Sequence, residues 1–242
     1  MKKGQLLYEG KAKKIFASEI PGQVIVEYKD SLTAFNSQKK GSFPEKGRIN
    51  REITTLLFQK LERAGIATHW LKDIGTNDML VRSVKIIPFE VVVRNRVAGS
   101  LAAKLKIEEG KVLTHPVVEF YYKDDALGDP FVSKEQIVAL QMEKLNTLQI
   151  LEARALQINS ILLGLFFQVG LDLVDFKVEF GRDRENEILL ADEITPDCCR
   201  LWDLQTAEKM DKDRFRRDLG KVAESYQEVL RRLQSIDQGA KL

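Results

Sequence analysis

The stretch LVDFKVEFG, Leu173 to Gly181, sets an acid, a base and an acid on alternate residues: Asp175, Lys177 and Glu179. Read as a strand, it turns these three to one side and Val174, Phe176, Val178 and Phe180 to the other. GRDREN then reads as a turn, and EILLADEIT resumes a strand. A hairpin symmetric about Glu185–Asn186 sets Glu179 across from Asp192. Facing carboxylates destabilise a ladder, so they call for a cation. Their oxygens suit Mg²⁺, which is commonly held by one or two carboxylates together with substrate phosphates. Lys177 is placed to meet a phosphate or a second acid. A solvated, charged hairpin face is the alternative, and a slip of one residue in register would turn Asp192 to the wrong side.

Three further segments carry anion chemistry. YEGKAKKIF puts Lys11 and Lys13 on one face of a strand leaving a glycine turn. Backbone amides of such a turn, with lysines, can cover nucleotide phosphates, and a plain basic turn is the alternative. In IIPFEVVVRNRVAGS, Glu90, Arg94 and Arg96 alternate with Val91 and Val93, and Gly99-Ser100 opens a helix. Arg94 and Ser100 are therefore either a phosphate site or an ordinary cap beside a Glu90–Arg94 pair. DEITPDCCRLWD is an acidic loop with one arginine, Arg200, and KMDKDRFRRD starts the last helix with Asp211 as a candidate N-cap. Arg200 and Lys212 reach a ligand if that loop folds over the hairpin. No Ser-His-Asp or Cys-His arrangement stands out, and the HRD and DFG signatures of protein kinases are absent.

The elements that must position these residues follow from periodicity. A chain of 242 residues is long enough for one large domain or two lobes. Gln5–Glu9, Ala12–Ser18 and Gln23–Tyr28 read as strands, and the polar stretch Asp30 to Gly47 as a loop. Arg48 to Ala64 reads as a helix, with Ile49, Ile53, Leu56, Leu57 and Leu61 on one side and Gly65 as its stop. Met79–Ile87 and Phe89–Arg96 are strands broken by Pro88, and a short helix starts at Ser100. Ser133 caps a helical region that reaches Phe167 with a break, and Gly170 ends it. Leu171–Phe180 and Glu187–Ile194 are strands, and Met210–Ile236 is one amphipathic helix. Strands first and mixed elements later point to an α+β fold in two lobes.

Composition bounds the partners. The 38 basic and 36 acidic residues leave a net charge of +2, which gives no reason to expect a nucleic-acid or membrane binder. The longest apolar run, Ile161 to Phe167, falls far short of the roughly 20 residues of a membrane span. Cys198 and Cys199 are adjacent, a poor disulfide geometry, so a reduced, cytoplasmic chain is expected. His69 and His115 are isolated from each other and from the cysteines, which argues against zinc.

Taken together, YEGKAKKIF, IIPFEVVVRNRVAGS, LVDFKVEFG, ADEITPD, CRLWD and KMDKDRFR, in this order, resemble the SAICAR synthase (phosphoribosylaminoimidazole-succinocarboxamide synthase) family of de novo purine synthesis. The resemblance implies a kinase-like N-terminal antiparallel β lobe over 1–85 and an ATP-grasp-like C-terminal lobe with helices over 86–242. It implies that ATP, a carboxyaminoimidazole ribonucleotide and L-aspartate give the succinocarboxamide, ADP and phosphate. Carried over, Lys11 and Lys13 cover the ATP phosphates, the strand at Val81-Arg82 lies against the adenine, and Glu179 and Asp192 hold Mg²⁺. Arg94, Ser100, Arg200 and Lys212 bind the ribonucleotide, chiefly its phosphate, and Asp175 and Lys177 line the reacting centre. A homodimer or larger assembly is expected. Two departures stand out: Cys198-Cys199 replace small or hydroxyl residues, and Asn36 stands where some members carry an acid. A related ligase with a different amine and a nucleotide sensor without catalysis are the competing readings.

Overall fold

The computed structural model describes residues 1–35 and 38–239, and Asn36 lies outside them. Strands β1 (Leu6–Glu9), β2 (Lys13–Ala17) and β3 (Gln23–Tyr28) form an antiparallel meander. A small hairpin follows, β4 (Ser31–Ala34) with β5 (Lys39–Ser42), then helix α1 (Lys46–Arg63). Strands β6 (Trp70–Asp73) and β7 (Asp78–Arg82) complete a five-stranded sheet ordered β1-β2-β3-β7-β6. The second sheet holds β8 (Lys85–Arg96), β9 (Val112–Tyr122), β10 (Phe131–Val132), β11 (Leu171–Arg182), β12 (Ile188–Ala191) and β13 (Cys199–Asp203). Between and after these strands run α2 (Gly99–Leu105), α3 (Lys134–Ala139), α4 (Leu145–Gln168), α5 (Asp213–Arg216) and α6 (Val222–Gly239). The architecture is α+β, and its named strand pairs are antiparallel.

Local chemistry accounts for most boundaries. In α1, Ile49, Ile53, Leu57 and Leu61 recur at helical spacing and are buried. The helix closes at Gly65, whose φ of 87° is cheap for glycine, and Ile66 N returns to Leu61 O at 2.9 Å. Ser133 and Gln136 form a reciprocal capping box at the start of α3. By length and apolar composition α4 could cross a membrane. Instead Leu148, Leu151, Ala155, Ile158, Leu162 and Phe166 are buried, and the helix packs on β8, β9 and β11. Its partners on those strands include Val91, Val93, Phe176 and Val178, so the apolar side of LVDFKVEFG is core.

Several expectations change. The polar stretch Asp30 to Gly47 contains the β4–β5 hairpin and the start of α1. Pro88 does not break a strand: β8 runs through it, because the register against β11 shifts between Glu179 and Gly181 and the irregularity accommodates the missing donor. The true break is at Ser83 and Val84. The last helix is two helices, since Asp218, Gly220 and Lys221 take positive φ between α5 and α6. Leu219, which lies on the linking segment, is exposed. Strands β6, β9, β10 and β13 lie outside the strands expected from periodicity.

Candidate active site

The face of β11 opposite α4 meets matching faces on β8 and β9. Asp175 pairs with Arg94, Lys177 with Val92 and Glu179 with Glu90, and on β9 Glu119 and Tyr121 face Val92 and Glu90. On its other edge β11 is covered by β13 at residues 171 to 176 and by β12 at residues 179 to 182. Between them the loop from Asp192 to Cys198 closes in, and Lys177 N donates to Cys198 O at 2.9 Å. The charged strand is therefore a sheet interior, not a solvated hairpin face.

The hairpin register differs from the symmetric one by a single residue. Glu179 lies across from Ala191, not Asp192, because the turn tightens around Asp183, whose carboxylate accepts from Glu185 N and Glu187 N. The facing carboxylate is Glu90 on β8, and the cation between is Lys177, 2.5 Å from Glu90 and 3.1 Å from Glu179. Lys123 reaches Glu179 at 2.7 Å. Asp192 still reaches the site, since it ends β12 with a φ of 62° and its carboxylate is bonded by Lys13.

A cleft of about 700 Å³ opens here. Lys11, Lys13, Val81, Arg82, Glu179 and Asp192 all line it, with Ile15, Val24 and Val26 as apolar wall. A cavity of about 310 Å³ adjoins it, lined by Arg94, Asp175, Lys177, Arg200 and Lys212. Lys177 and Lys212 belong to both. Ser100 lines neither, but its Oγ accepts from Arg94 Nη2 at 3.1 Å. Arg94 is not paired with Glu90: it donates to Glu119 at 2.7 Å and to Asp175 at 2.8 Å. Arg96 points elsewhere and pairs with Asp172 at 2.6 Å. Lys11 bridges to Asp125 at 2.8 Å.

The charges that Lys13, Lys177, Glu179 and Asp192 bury in the cleft are answered by opposite charges, as desolvation demands. Burial alone would lower the ammonium pKa values of Lys13 and Lys177, but the carboxylates around them raise both well above the ordinary lysine value. Burial would likewise raise Asp192, and Lys13, Lys177 and Lys123 hold it below the usual carboxylate range instead. Lys212 is the exception. Burial lowers its pKa, and its nearest carboxylate, Asp197, stands 4.0 Å away. Asp197 is itself occupied by Lys46 at 2.5 Å, Asn50 at 3.0 Å and Tyr226 at 2.7 Å. His69 lines the cleft, and burial pushes it down to about 4, so the ring is neutral. Cys198 and Cys199 are free thiols, and Cys198 lines both cavities.

Sequence reasoning missed Lys123, Glu119, Tyr121, Asp197 and Asp213. The first three were legible: Val118, Phe120 and Tyr122 alternate with Glu119, Tyr121 and Lys123, a strand signal. No local pattern marks Asp197 or Asp213, whose partners lie on distant segments.

Known proteins share this fold and much of this sequence. The profile of the SAICAR synthetase family matches residues 6–233. The phosphoribosylaminoimidazole-succinocarboxamide synthase of Lysinibacillus sphaericus is 54% identical over 233 residues, 96% of this chain and 99% of that protein. That of Bacillus cereus is 54% identical over 236 residues, 98% of this chain and 99% of its own length. Among solved structures, the Ehrlichia chaffeensis enzyme superposes with a TM-score of 0.93 at 45% identity, covering 95% of this chain and 98% of that one. A SAICAR synthetase in complex with ADP superposes with a TM-score of 0.91 at 43% identity, covering 94% and 97%. The chain belongs to the SAICAR synthetase family.

Proposed function

We propose that ATP occupies the larger cleft and the ribonucleotide the smaller cavity, with the reacting carboxylate where they meet at Lys177. As a member of its family, the enzyme is an ATP-dependent ligase of purine biosynthesis. It condenses a carboxyaminoimidazole ribonucleotide with L-aspartate to give the succinocarboxamide, ADP and phosphate. The observation that carries the placement is the shared wall: Lys177 opens to both cavities, with Glu90 and Glu179 beside it and Asp175 two residues back on β11.

Residues 1–85 form the nucleotide-covering lobe, in which Lys11 and Lys13 face the phosphates and Val81-Arg82 the base. Residues 86–242 carry the other sites. Arg94, Ser100, Arg200 and Lys212 bind the ribonucleotide. Glu179 and Asp192 are the Mg²⁺ carboxylates, and the donor set fits the ion. Lys13, Lys123 and Lys177 face Glu90, Glu179, Asp192 and Glu193, which leaves the cluster one positive charge short. No group of three metal-type side chains converges among the described residues, so phosphate and water oxygens must complete the shell. When bound, Mg²⁺ neutralises charge on the phosphates.

A carboxylate resists amine attack until one oxygen becomes a leaving group. We propose that a carboxylate oxygen of the ribonucleotide takes the γ-phosphoryl group, releasing ADP, and that the aspartate amine then displaces phosphate. Lys177 and Lys13 contribute chiefly positioning and charge neutralisation. Positional oxygen exchange in ATP without aspartate tests this order, and its absence weighs against the acyl phosphate. The assignment as a whole is tested by coupled ADP release with Mg-ATP, the ribonucleotide and L-aspartate, omitting each in turn. Release that needs all three supports it; release indifferent to L-aspartate refutes it. The reduced thiols and the balanced charge support a cytoplasmic enzyme. Exposed Leu156 and Phe167 on α4 support an assembly of copies, as in the dimer expected from the family.

A further inference from the structure

Asp213 lines neither cavity, yet it grips one of their walls. Its side chain is 1% exposed. Its carboxylate accepts from Arg200 Nε at 3.1 Å and from Arg216 Nη1 at 2.6 Å. On the opposite side of Arg200, Asp175 accepts from Nη1 at 2.8 and 3.1 Å, and Asp175 also takes Arg94 Nη1 at 2.8 Å. The result is a row of alternating charges across five elements, β9, β8, β11, β13 and α5: Glu119, Arg94, Asp175, Arg200, Asp213 and Arg216.

A guanidinium is planar, so fixing two of its nitrogens fixes the third. Asp213 on α5 holds Nε and Asp175 on β11 holds Nη1. Nη2 has no hydrogen-bond partner among the described residues. It lies over Gly99, next to Ser100. A Cβ on residue 99 would fall 2.6 Å from Arg200 Cζ and nearer still to Nη2, and Gly99 has a φ of 53°. A side chain there would push the arginine off its line. Arg94 is already occupied at Nε, Nη1 and Nη2. The unpaired edge of Arg200 is therefore a donor this wall keeps for an anion.

We propose that Asp213 and Gly99 are positioning residues for the phosphomonoester of the ribonucleotide, acting through Arg200. Asp213 aims the free guanidinium edge, and Gly99 leaves the space it occupies. This rests on the placement of the ribonucleotide in the smaller cavity. A held arginine meets a dianionic phosphate with its entropy already spent, whereas a released one must be ordered on binding.

The test measures binding of the carboxyaminoimidazole ribonucleotide and of its 5′-dephosphorylated nucleoside by calorimetry, beside steady-state kinetics, for the wild type and for Arg200→Ala, Asp213→Asn and Gly99→Ala. Asp213→Asn keeps the shape of the side chain and removes its charge. It is expected to weaken the ribonucleotide about tenfold, the equivalent of one charge-assisted hydrogen bond. The nucleoside affinity, the KM for ATP and kcat at saturation stay near wild type. Gly99→Ala, which disturbs the same arginine from the other side, is expected to show the same split. A merely structural role would weaken nucleotide and nucleoside together, and that result overturns the proposal. If Arg200→Ala itself leaves the nucleotide-to-nucleoside ratio unchanged, the placement of the ribonucleotide fails. If Arg200→Ala collapses the ratio while the two positioning variants do not, only the present inference fails. Should Asp213→Asn not fold, Gly99→Ala alone decides.

Discussion

Lys13→Met isolates the electrostatic keystone between the sheets. The ammonium group stands between Asp192 and Glu193, 3.1 Å from the latter, and over the Tyr28 ring at 5.4 Å. Its side chain is 12% exposed, Asp192 23% and Glu193 6%. Methionine keeps the stem and deletes the charge, leaving two carboxylates facing each other. Removing one partner of a buried pair costs about 3–5 kcal/mol. Because Asp192 retains some contact with water, the lower end applies, about 3 kcal/mol. That is a large share of the roughly 5–15 kcal/mol that holds a domain. The pH dependence follows from sign. Asp192 is held below its unfolded value, so its contribution is present above about pH 4 and is lost as pH falls. Lys13 is held above its unfolded value, so its contribution is present below about pH 10 and is lost as pH rises. Both report one interaction. The gap in unfolding free energy between wild type and variant, from urea titrations without nucleotide, should therefore be widest between about pH 5 and 10 and close on either side. A gap that persists unchanged at pH 3, or none at pH 7, would refute the reasoning.

Three other substitutions probe the cleft and the framework around it. Glu179→Gln removes the carboxylate that Lys123 and Lys177 share. It should lower kcat by about 100-fold or more and raise the Mg²⁺ concentration needed for ADP release, for a stability loss of only about 2 kcal/mol; an unaltered Mg²⁺ dependence would remove Glu179 from the metal. Asp211 is pushed up to about 7 by burial and by Asp213, so wild-type stability should fall as pH rises from about 4 to 7, by on the order of 4 kcal/mol. Asp211→Asn should flatten that slope in thermal or urea melts, and an identical slope contradicts it. Gly47→Ala places a Cβ 2.9 Å from Asn77 Nδ2 and closer still to Tyr28 O, so it should destabilise by about 1–3 kcal/mol, read as a lower urea midpoint.

How much of this was legible depended on whether the deciding interaction was local. The acid-base-acid face of β11, the core stripe of α1 and the stop at Gly65 follow from periodicity and glycine, and the structure places each as expected. The family resemblance, rather than residue spacing, grouped Lys11, Lys13, Glu179 and Asp192 in one site and Arg94, Arg200 and Lys212 in another, and each group lines one cavity. The hairpin register was not legible, because the Asp183 hydrogen bonds that tighten the turn add one residue of offset no symmetry argument contains. Pro88 reads as a strand breaker until the irregular pairing with β11 is known. The strand carrying Glu119 was legible from its alternation, but its pairing with Arg94, 25 residues away, and that of Asp213 with Arg200, 13 residues away, are set only by the tertiary fold.

The pairing of the lysines Lys13, Lys123 and Lys177 with the carboxylates of the cleft has a consequence for ligand affinity. Glu179 and Asp192 cannot be buried ionised without cations, and Lys13, Lys123 and Lys177 supply them in the absence of substrate. The same lysines are the groups proposed to meet phosphate, and the same carboxylates are those proposed to meet Mg²⁺. On that proposal, binding Mg-ATP would be an exchange, with Lys13, Lys123 and Lys177 turning to phosphate oxygens while Glu179 and Asp192 would hold the metal. An exchange of like interactions gains little net free energy, so the site tolerates burial without becoming a trap for the product ADP. It also ties metal to nucleotide. A phosphate alone would strip lysines from acids that then repel one another, and a metal alone would leave lysines unpaired. The two should bind with positive coupling, and the coupling should vanish in Lys13→Met, where one side of the exchange is missing. Calorimetric titration of ADP with and without Mg²⁺ reads it directly. Equal ADP affinities in the wild type, or undiminished coupling in the variant, would show that the lysines and the metal act independently.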